Sequence, residues 1–459
     1  GQPNFQSRGN NTGGLSERSL ASVLGGGVLR MSIAFDSQGN LWVTDAGNHR
    51  ILRYPASALG EGASNGPSAN LVLGQAEFRT NAGLPQSSNV TVRQTKTGLY
   101  QPASLAFDQG GRLFVVDGLN RALVYRPPFV NGQEAARVMG IVSAPAQGQP
   151  APAPINPSSV GVVTTSGMLP AEGVFTIGNV PFILDTAAHR ILRYDPFDQW
   201  PAESTQYSPL ARATIGQDAP EQSEIRINRG LAEPNNASFW SPVAATFVNG
   251  QTFIVDSNNN RVLAMGDIST GPSLSTGSPY DARRVLGQIG FEFRAPNFIE
   301  GREFQFQNAG IVIDNRSQPP RLYVADTANH RVLGFADART VKQGSRADIV
   351  IGQPDFYRSL INFPSNSPDA RNDSGLYFPI GLAVDGEGNL WVADSANGRV
   401  LRFPSPFSQT QTPMRADLVL GQSSFTNRVT DPSARTLAVP FGLAFTYRSE
   451  ERRVGKECR

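Results

Sequence analysis

One short pattern occurs six times along the 459-residue chain, and it constrains the fold more than any other feature. Each copy is a mostly apolar stretch that ends in aspartate, as in Leu390-Trp-Val-Ala-Asp394. The six aspartates are 68 to 72 residues apart and are Asp45, Asp117, Asp185, Asp256, Asp326 and Asp394. A fixed period of this kind is typical of repeat architectures, in which each repeat is one supersecondary unit. We therefore expect a single repeat domain rather than the three domains that the length alone suggests.

Other residue types recur at fixed offsets from each aspartate. An aromatic residue lies three positions before it, and an arginine follows it by four or five positions. The arginines are Arg50, Arg121, Arg190, Arg261, Arg331 and Arg399. A carboxylate and a guanidinium at this spacing can pair across a turn and also bind turn amides. We interpret the aspartates as structural repeat residues and the aromatics as packing between repeats, and a catalytic role for one chosen pair stays open.

Each repeat contains four short strand-like segments separated by turn residues. In the last complete copy these segments are Gly381–Asp385, Leu390–Asp394, Arg399–Phe403 and Asp417–Gly421. Four antiparallel strands per repeat, without helical periodicity, predict the blade of a β-propeller.

The motif Asp-x-x-Asn-His-Arg-[Ile/Val]-Leu, at Asp45–Leu52 and Asp326–Leu333, resembles the NHL repeat family of propellers. The resemblance covers residues 31 to 447 and implies an all-β, NHL-type β-propeller. We predict one domain, 1–447, with six complete four-stranded blades and the first strand of a further blade at 438–447. The complete blades are expected at about 31–75, 102–141, 172–217, 242–288, 309–353 and 379–422.

The two ends of the chain carry a separate expectation. Gly1–Phe5 matches Gly352–Phe356, which indicates that residue 1 follows directly on a fourth strand. The last twelve residues, 448–459, hold eight charges and do not continue the repeat pattern. We expect the sequence to be a fragment whose ring is imperfectly sealed between blades one and six. We also expect the charged tail to lie outside the fold, so that its deletion leaves the melting temperature unchanged.

Charge and cysteine content exclude several classes of protein. The formal net charge of +2 comes entirely from the tail, so the body has none and offers little non-specific attraction for nucleic acid. The single cysteine, Cys458, also lies in the tail, which excludes disulfides and cysteine-ligated zinc within the chain. No apolar run is long enough for a transmembrane helix.

The three histidines occupy the same turn position in alternate blades, which raises the hypothesis of a metal triad. They are His49, His189 and His330, and Asn120, Asn260 and Gly398 stand at this position in the other blades. Turns on alternate blades are expected to be well over 10 Å apart, whereas zinc needs nitrogens at about 2 Å. We therefore interpret these histidines as turn caps that asparagine can replace, and predict neither metal nor cofactor.

Two other patterns resemble metal sites only in part. Zinc lyases that amidate peptide hormones are also NHL-type propellers, and the resemblance places their metal histidines after a proline at the start of the innermost strand. Here Ala103, Val243, Ile380 and Phe441 follow that proline, so the lyase chemistry cannot be carried over. Asp-x-x-Gly segments such as Asp36–Gly39 lack the spacing of a calcium-binding EF-hand, and we interpret them as hairpin turns.

Long connections join one blade to the next, against a usual length of about 4–6 residues. They include 76–101, 218–241, 354–378 and 423–439, and most begin with the pattern Gln-x-x-Phe. Topology places these insertions on the face that carries the Asp–Arg turns, so a ligand is expected there. The candidate binding residues are the turn side chains of that face: His49, Arg50, Arg121, His189, Arg190, Arg261, His330, Arg331 and Arg399. The proline-rich segment 143–157 is predicted to be an extended surface strap.

These observations favour a non-catalytic binding or scaffold propeller. The expected ligand is a protein, peptide or carbohydrate, and the protein is expected to be bacterial, extracytoplasmic and monomeric. The alternative is a propeller-type lyase or lactonase-like hydrolase whose acid–base residues lie at the mouth of the central channel. RNA binding is a third class, which the neutral body disfavours because it needs a basic face.

Overall fold

The computed structural model of the chain describes residues 9–445 with several gaps. The residues left out within that range are 12, 22, 25–26, 29–30, 61–62, 64–65, 88, 142–156, 158, 165–166, 218–225, 272–279, 297–298, 430, 432 and 434. The described residues form six four-stranded antiparallel sheets in a ring, which confirms the predicted all-β propeller with six complete blades. The proline-rich segment and the charged tail lie almost entirely outside the described residues.

The strands follow the repeat closely. Blade one contains Ile33–Phe35, Leu41–Asp45, Arg50–Tyr54 and Leu71–Leu73, and blade two contains Ser104–Phe107, Leu113–Asp117, Arg121–Tyr125 and Arg137–Met139. Blade three contains Gly173–Ile177, Val180–Asp185, Arg190–Arg193 and Ala213–Ile215, and blade four contains Pro242–Val248, Gln251–Asp256, Arg261–Met265 and Arg284–Leu286. Blade five contains Ile311–Asp314, Arg321–Asp326, Arg331–Phe335 and Ile349–Ile351, and blade six contains Pro379–Val384, Leu390–Asp394, Arg399–Phe403 and Leu418–Leu420.

Within each blade, consecutive strands are neighbours, and the first strands of successive blades contact one another around the central channel. Because each strand reverses direction, the turn between the second and third strands lies on the same face as the connection to the next blade. We call this face the turn face. The repeat aspartate and arginine lie opposite each other in the ladder at its edge, as Asp394 and Arg399 do in blade six.

Helical structure is confined to short segments among the described residues. The α-helix Val90–Arg93 has four residues. The 3₁₀ turns are Ala46–Asn48, Ala56–Ala58, Thr186–Ala188, Phe197–Gln199, Ile227–Gly230, Ser257–Asn259, Thr327–Asn329, Ser395–Asn397 and Pro406–Ser408. None of the described helices is long and apolar enough to cross a membrane.

Aromatic side chains fill the spaces between blades. Trp42 of blade one packs edge-on against Phe107 and Phe129, which belong to blade two, with ring centroids 5.4 and 4.8 Å apart. Phe182 and Phe253 hold the equivalent position in blades three and four and are fully buried. Burying rings of this size accounts for much of the apolar stabilisation between blades.

One apolar residue from each connection covers the end of the preceding blade. The fourth strand ends in a glycine with positive φ, and this residue packs directly over it. A Cβ on Gly216 would lie 2.1 Å from the Phe239 ring, so only glycine fits. We call these side chains plug residues; they are Leu99, Val160, Phe239, Phe304, Leu376 and Leu437.

The predicted first strand of a further blade is described only to residue 445. Ser395 Oγ donates a hydrogen bond of 2.7 Å to the Pro440 carbonyl, as Thr186 Oγ1 does to the Pro242 carbonyl at the start of blade four. Phe445 packs against Trp391 with ring centroids 5.7 Å apart. The segment thus occupies the position of an innermost strand, but no strand is formed within 435–445. A ladder needs a partner strand, and the residues after 447 lack the Leu-Trp-Val pattern that supplies it in blade six.

Candidate functional site

Each repeat aspartate forms a buried ion pair with the arginine that follows it. The closest N–O distances are 2.7 to 2.9 Å, and both side chains are fully buried in every blade. Burial raises the pKa of Asp185 above its ordinary value, and the Arg190 guanidinium opposes that rise. A ligand could reach these guanidinium groups only by displacing the ion pair, and their role in binding stays a prediction.

The same carboxylates hold the incoming connection in place. In five connections the residue after the plug residue donates its backbone N–H to the repeat aspartate of the following blade, and Ala21 donates in the same way to Asp45 of blade one, at 2.6 to 3.2 Å. The donors are Ala21, Tyr100, Gly161, Trp240, Gln305 and Tyr377. The aspartate therefore satisfies both an arginine and a loop amide inside the protein.

The recurring Gln-x-x-Phe pattern anchors the other end of the connection. Arg261 donates to the Phe291 carbonyl at 2.6 Å, Arg331 to the Phe356 carbonyl at 2.7 Å, and Arg399 to the Phe425 carbonyl at 2.6 Å. The glutamine amide donates to the backbone carbonyl of the turn, as Gln353 does to His330 at 3.2 Å. The arginine is thus bound to its own turn and to the start of the next insertion.

The turn position that carries histidine has a left-handed backbone in all six blades. Its φ lies between 51° and 62°, a region in which Asn, His and Gly are favoured. Nδ1 of each histidine accepts a backbone N–H from the connection that leads into the next blade. The donors are Gln101 to His49 at 3.1 Å, Ser241 to His189 at 3.2 Å and Phe378 to His330 at 3.4 Å. Asn260 Oδ1 accepts the N–H of Phe306 in the same way, at 3.1 Å.

These contacts require a neutral imidazole, because a protonated Nδ1 cannot accept a hydrogen bond. Burial lowers the pKa of His189 and of His330 to about 4, which keeps both rings neutral at physiological pH. Burial also lowers the pKa of His49, although Asp45 and Asp117 oppose the shift. The histidines join neighbouring blades, and no metal-binding group of three His, Cys, Asp or Glu side chains occurs within the described residues.

The Asp-x-x-Gly segments are hairpins closed by their own carboxylate. Asp385 accepts the backbone N–H of Glu387 and Asn389, and its second oxygen accepts the Trp391 indole N–H at 2.8 Å. Asp36 and Trp42 repeat the arrangement in blade one. The carboxylate is occupied by these donors, as a structural turn requires.

A cleft of about 630 Å³ opens on the turn face over the turn of blade four, between the connections that enter and leave this blade. Trp240 forms one wall, and residues 292–296 of the following insertion form the other. Arg294 lies over the Trp240 ring, 5.6 Å from its centroid, and its Nε is 3.7 Å from a Glu233 carboxylate oxygen. A comparison of the six repeats does not reveal this cleft, because its combination of residues occurs at one blade only.

A second recess of about 240 Å³ lies near the mouth of the central channel. Its walls include Gln101, Ala103, Leu169 and Pro170, and Glu172 is the only ionisable side chain in the described lining. A hydrolase or lyase of the alternative kind needs at least an acid and a base near one another.

A protein-family model matches two parts of the chain that contain the buried Asp–Arg turn. The fold and the repeated Asp–Arg turns define a six-bladed β-propeller. The model of the NHL repeat matches residues 32–54 and 376–403, which lie in blades one and six. These matches and the six-bladed ring support an NHL-repeat propeller family, as the resemblance in the sequence predicted. No curated protein matches the chain significantly.

Solved structures with a similar fold have varied roles. The periplasmic gluconolactonase PpgL of Pseudomonas aeruginosa is 14% identical, with 91% of each chain covered and a TM-score of 0.48. Hydrazine synthase of Kuenenia stuttgartiensis is 11% identical, with 87% of this chain and 90% of that chain covered and a TM-score of 0.45. The WD40 propeller domain of Doa1 is 7% identical, with 86% of this chain and 83% of that chain covered and a TM-score of 0.41. At such identities the likeness concerns the fold alone.

Proposed function

We propose that this chain is a non-catalytic binding propeller whose ligand binds on the turn face, in the cleft beside Trp240. The observation that carries the proposal is the contrast between that cleft and the repeated network. The repeated aspartates, arginines and histidines are bound to one another and to the backbone. The cleft instead brings together an indole, two carboxylates and a guanidinium, which share one ion pair of 3.7 Å and no side-chain hydrogen bond among the described residues.

A binding role also agrees with where the variable segments lie. The long connections all reach the turn face, and loops placed on a rigid scaffold commonly carry binding residues. The cleft volume lies within the range of about 300–1,000 Å³ that small-molecule sites occupy. We further propose that the protein is extracytoplasmic and monomeric. A body with zero net charge also disfavours a nucleic-acid partner.

Binding to defined compounds tests this proposal. We expect at least one member of a panel of neutral oligosaccharides and short peptides to raise the melting temperature of the protein. The rise should disappear in Trp240→Ala and persist in Glu172→Gln, which changes only the recess at the channel mouth. Stabilisation that is lost in Glu172→Gln and kept in Trp240→Ala would move the site to the channel.

The enzyme alternative has its own test. Hydrolysis of D-glucono-1,5-lactone can be followed by acid release at constant pH. We expect the rate with protein to equal the rate in buffer. Turnover that the wild type shows and Glu172→Gln loses would overturn the non-catalytic assignment.

A further inference from the structure

The Trp240 indole differs from the other tryptophans of the chain in its hydrogen bonding. Nε1 of Trp42 donates to Asp36 at 2.9 Å, Nε1 of Trp200 donates to the Asp195 carbonyl at 2.7 Å, and Nε1 of Trp391 donates to Asp385. Trp240 Nε1 has no acceptor within the part of the chain that the structure describes. Its N–H is therefore available to a ligand in the cleft.

The backbone of Trp240 is nevertheless fixed. Its N–H donates to Asp256 at 2.6 Å, and its carbonyl accepts the N–H of Asn258 at 3.0 Å. Asp256 is itself held by Arg261 in the buried ion pair of blade four. The indole is thus presented by a backbone that is hydrogen-bonded through both its N–H and its carbonyl, which reduces the entropy that a ligand must remove on binding.

The charged groups around this indole are joined by one long ion pair and by no side-chain hydrogen bond among the described residues. Glu292 and Glu233 make no hydrogen bond through their carboxylates among the described residues, and the nearest cation is Arg294 at 3.7 Å from Glu233. Arg294 contacts the ring face but donates no side-chain hydrogen bond there. The cleft therefore offers anionic acceptors and a cationic donor within one small volume.

This combination selects for hydroxyl groups. A hydroxyl can donate to a carboxylate and accept from a guanidinium or an indole N–H at the same time. A formal charge of either sign on a ligand would be attracted by one of these groups and repelled by the other, whereas a hydroxyl can bond to both. Phe293 is 41% exposed and, with Ala295 and Pro296, adds an apolar wall opposite Trp240.

We propose that this cleft binds a neutral oligosaccharide. One sugar ring packs against the Trp240 face that Arg294 covers in the free protein, and the displaced Arg294 bonds the sugar hydroxyls together with Glu233 and Glu292. A sugar ring has an apolar C–H face and a polar rim, so it matches an aromatic wall bordered by mixed donors and acceptors. The inference rests on the proposed function, because it names the ligand class of the same cleft.

The test is calorimetric titration of the full chain with purified oligosaccharides of glucose, mannose, xylose and N-acetylglucosamine. Tetralysine and tetraglutamate serve as charged probes. We expect one neutral sugar series to bind, with affinity reduced at least about tenfold in Trp240→Ala. Trp240→Phe keeps the ring and loses the N–H, so a smaller loss of about threefold is expected.

Tyr357 supplies a matched control. It is 61% exposed, and Arg346 lies over its ring while also binding Glu300, so the residue types resemble those of the cleft. There the hydrogen bonds are already made, since Arg346 donates to the Tyr357 hydroxyl at 3.2 Å. Tyr357→Ala should leave sugar affinity unchanged, and circular dichroism should show native folding of every variant.

Each outcome separates the two proposals. If only a charged peptide binds and Trp240→Ala abolishes its binding, the cleft is a binding site but the carbohydrate inference is wrong. If a sugar binds equally well to wild type and Trp240→Ala, both the site and the inference are wrong. If no sugar of the panel binds, the inference is overturned.

Discussion

The fourth strands of blades four and six have the same sequence pattern but different surroundings. Leu286 in blade four and Leu420 in blade six pair with equivalent valines, Val262 and Val400. Leu286 is completely buried by the neighbouring blade, whereas Leu420 is 47% exposed. The comparison shows that a blade supplies its own hydrogen bonds but depends on the next blade to cover its apolar face.

The burial of the Asp–Arg ion pair does not differ between blades four and six. Arg399 in blade six is as buried as Arg261 in blade four, because each is enclosed by carbonyls of adjoining connections. The burial of the plug residues does differ, since Phe304 over blade four is fully buried and Leu437 over blade six is 38% exposed. The Asp–Arg ion pair is thus buried by its own blade and the adjoining connections, whereas the apolar cover of a blade comes from the next blade.

Removing the repeat carboxylate should give the largest loss of stability in both regions. Asp256→Ala and Asp394→Ala each leave an arginine buried without its partner, which costs about 3–5 kcal/mol. Urea unfolding should show similar losses for the two variants. Asp337→Ala is the control, because it breaks an exposed pair with Arg339 and should cost less than about 1 kcal/mol. A much smaller loss for Asp394→Ala would mean that blade six is loosely packed throughout.

Truncating the equivalent leucines to alanine should cost more stability in blade four than in blade six. Leu286→Ala creates a cavity in a close-packed seam and should cost about 2–5 kcal/mol. Leu420→Ala removes a half-exposed side chain and should cost less than about 1 kcal/mol. Both variants can be compared by urea midpoints under the same conditions. Equal losses would show that Leu420 is covered in solution.

Acidification should act on the seams that carry histidine. The folded pKa of His189 and of His330 is about 4, below the ordinary value of 6.5, so the unfolded chain binds more protons between these pH values. The free energy of unfolding should therefore fall as the pH drops below about 6.5, by about 1 kcal/mol per histidine at pH 5.5. His189→Asn/His330→Asn should weaken this dependence, because Asn260 already makes the same contact in blade four. An unchanged slope in the double variant would assign the acid sensitivity to other groups.

Recurrence determined which features could be predicted from the sequence. Asp326, Arg331 and Tyr323 repeat at fixed offsets, so strand boundaries and the paired turn were visible without coordinates. Plug residues were not, because they vary between Leu, Val and Phe within insertions of unequal length. The acceptor role of His189 depends on a backbone N–H supplied by Ser241, 52 residues away in the sequence. Trp240 lies in a cleft that occurs in one blade, and a single copy produces no pattern.

Anchoring at both ends gives the insertions a freedom that the blades lack. In the connection after blade five, the Phe356 carbonyl is held by Arg331 at one end, and Leu376 is seated over Gly352 at the other. Part of the stretch between these anchors is also fixed, because buried Asn362 exchanges hydrogen bonds with Asn397 of blade six. Only its exposed positions can change without disturbing the ring. The exposed parts of the insertions on the turn face can therefore vary separately from one another while the blades keep their structure. New recognition surfaces could arise by substitution or insertion at the exposed positions of these segments, away from the residues that bond to the blades.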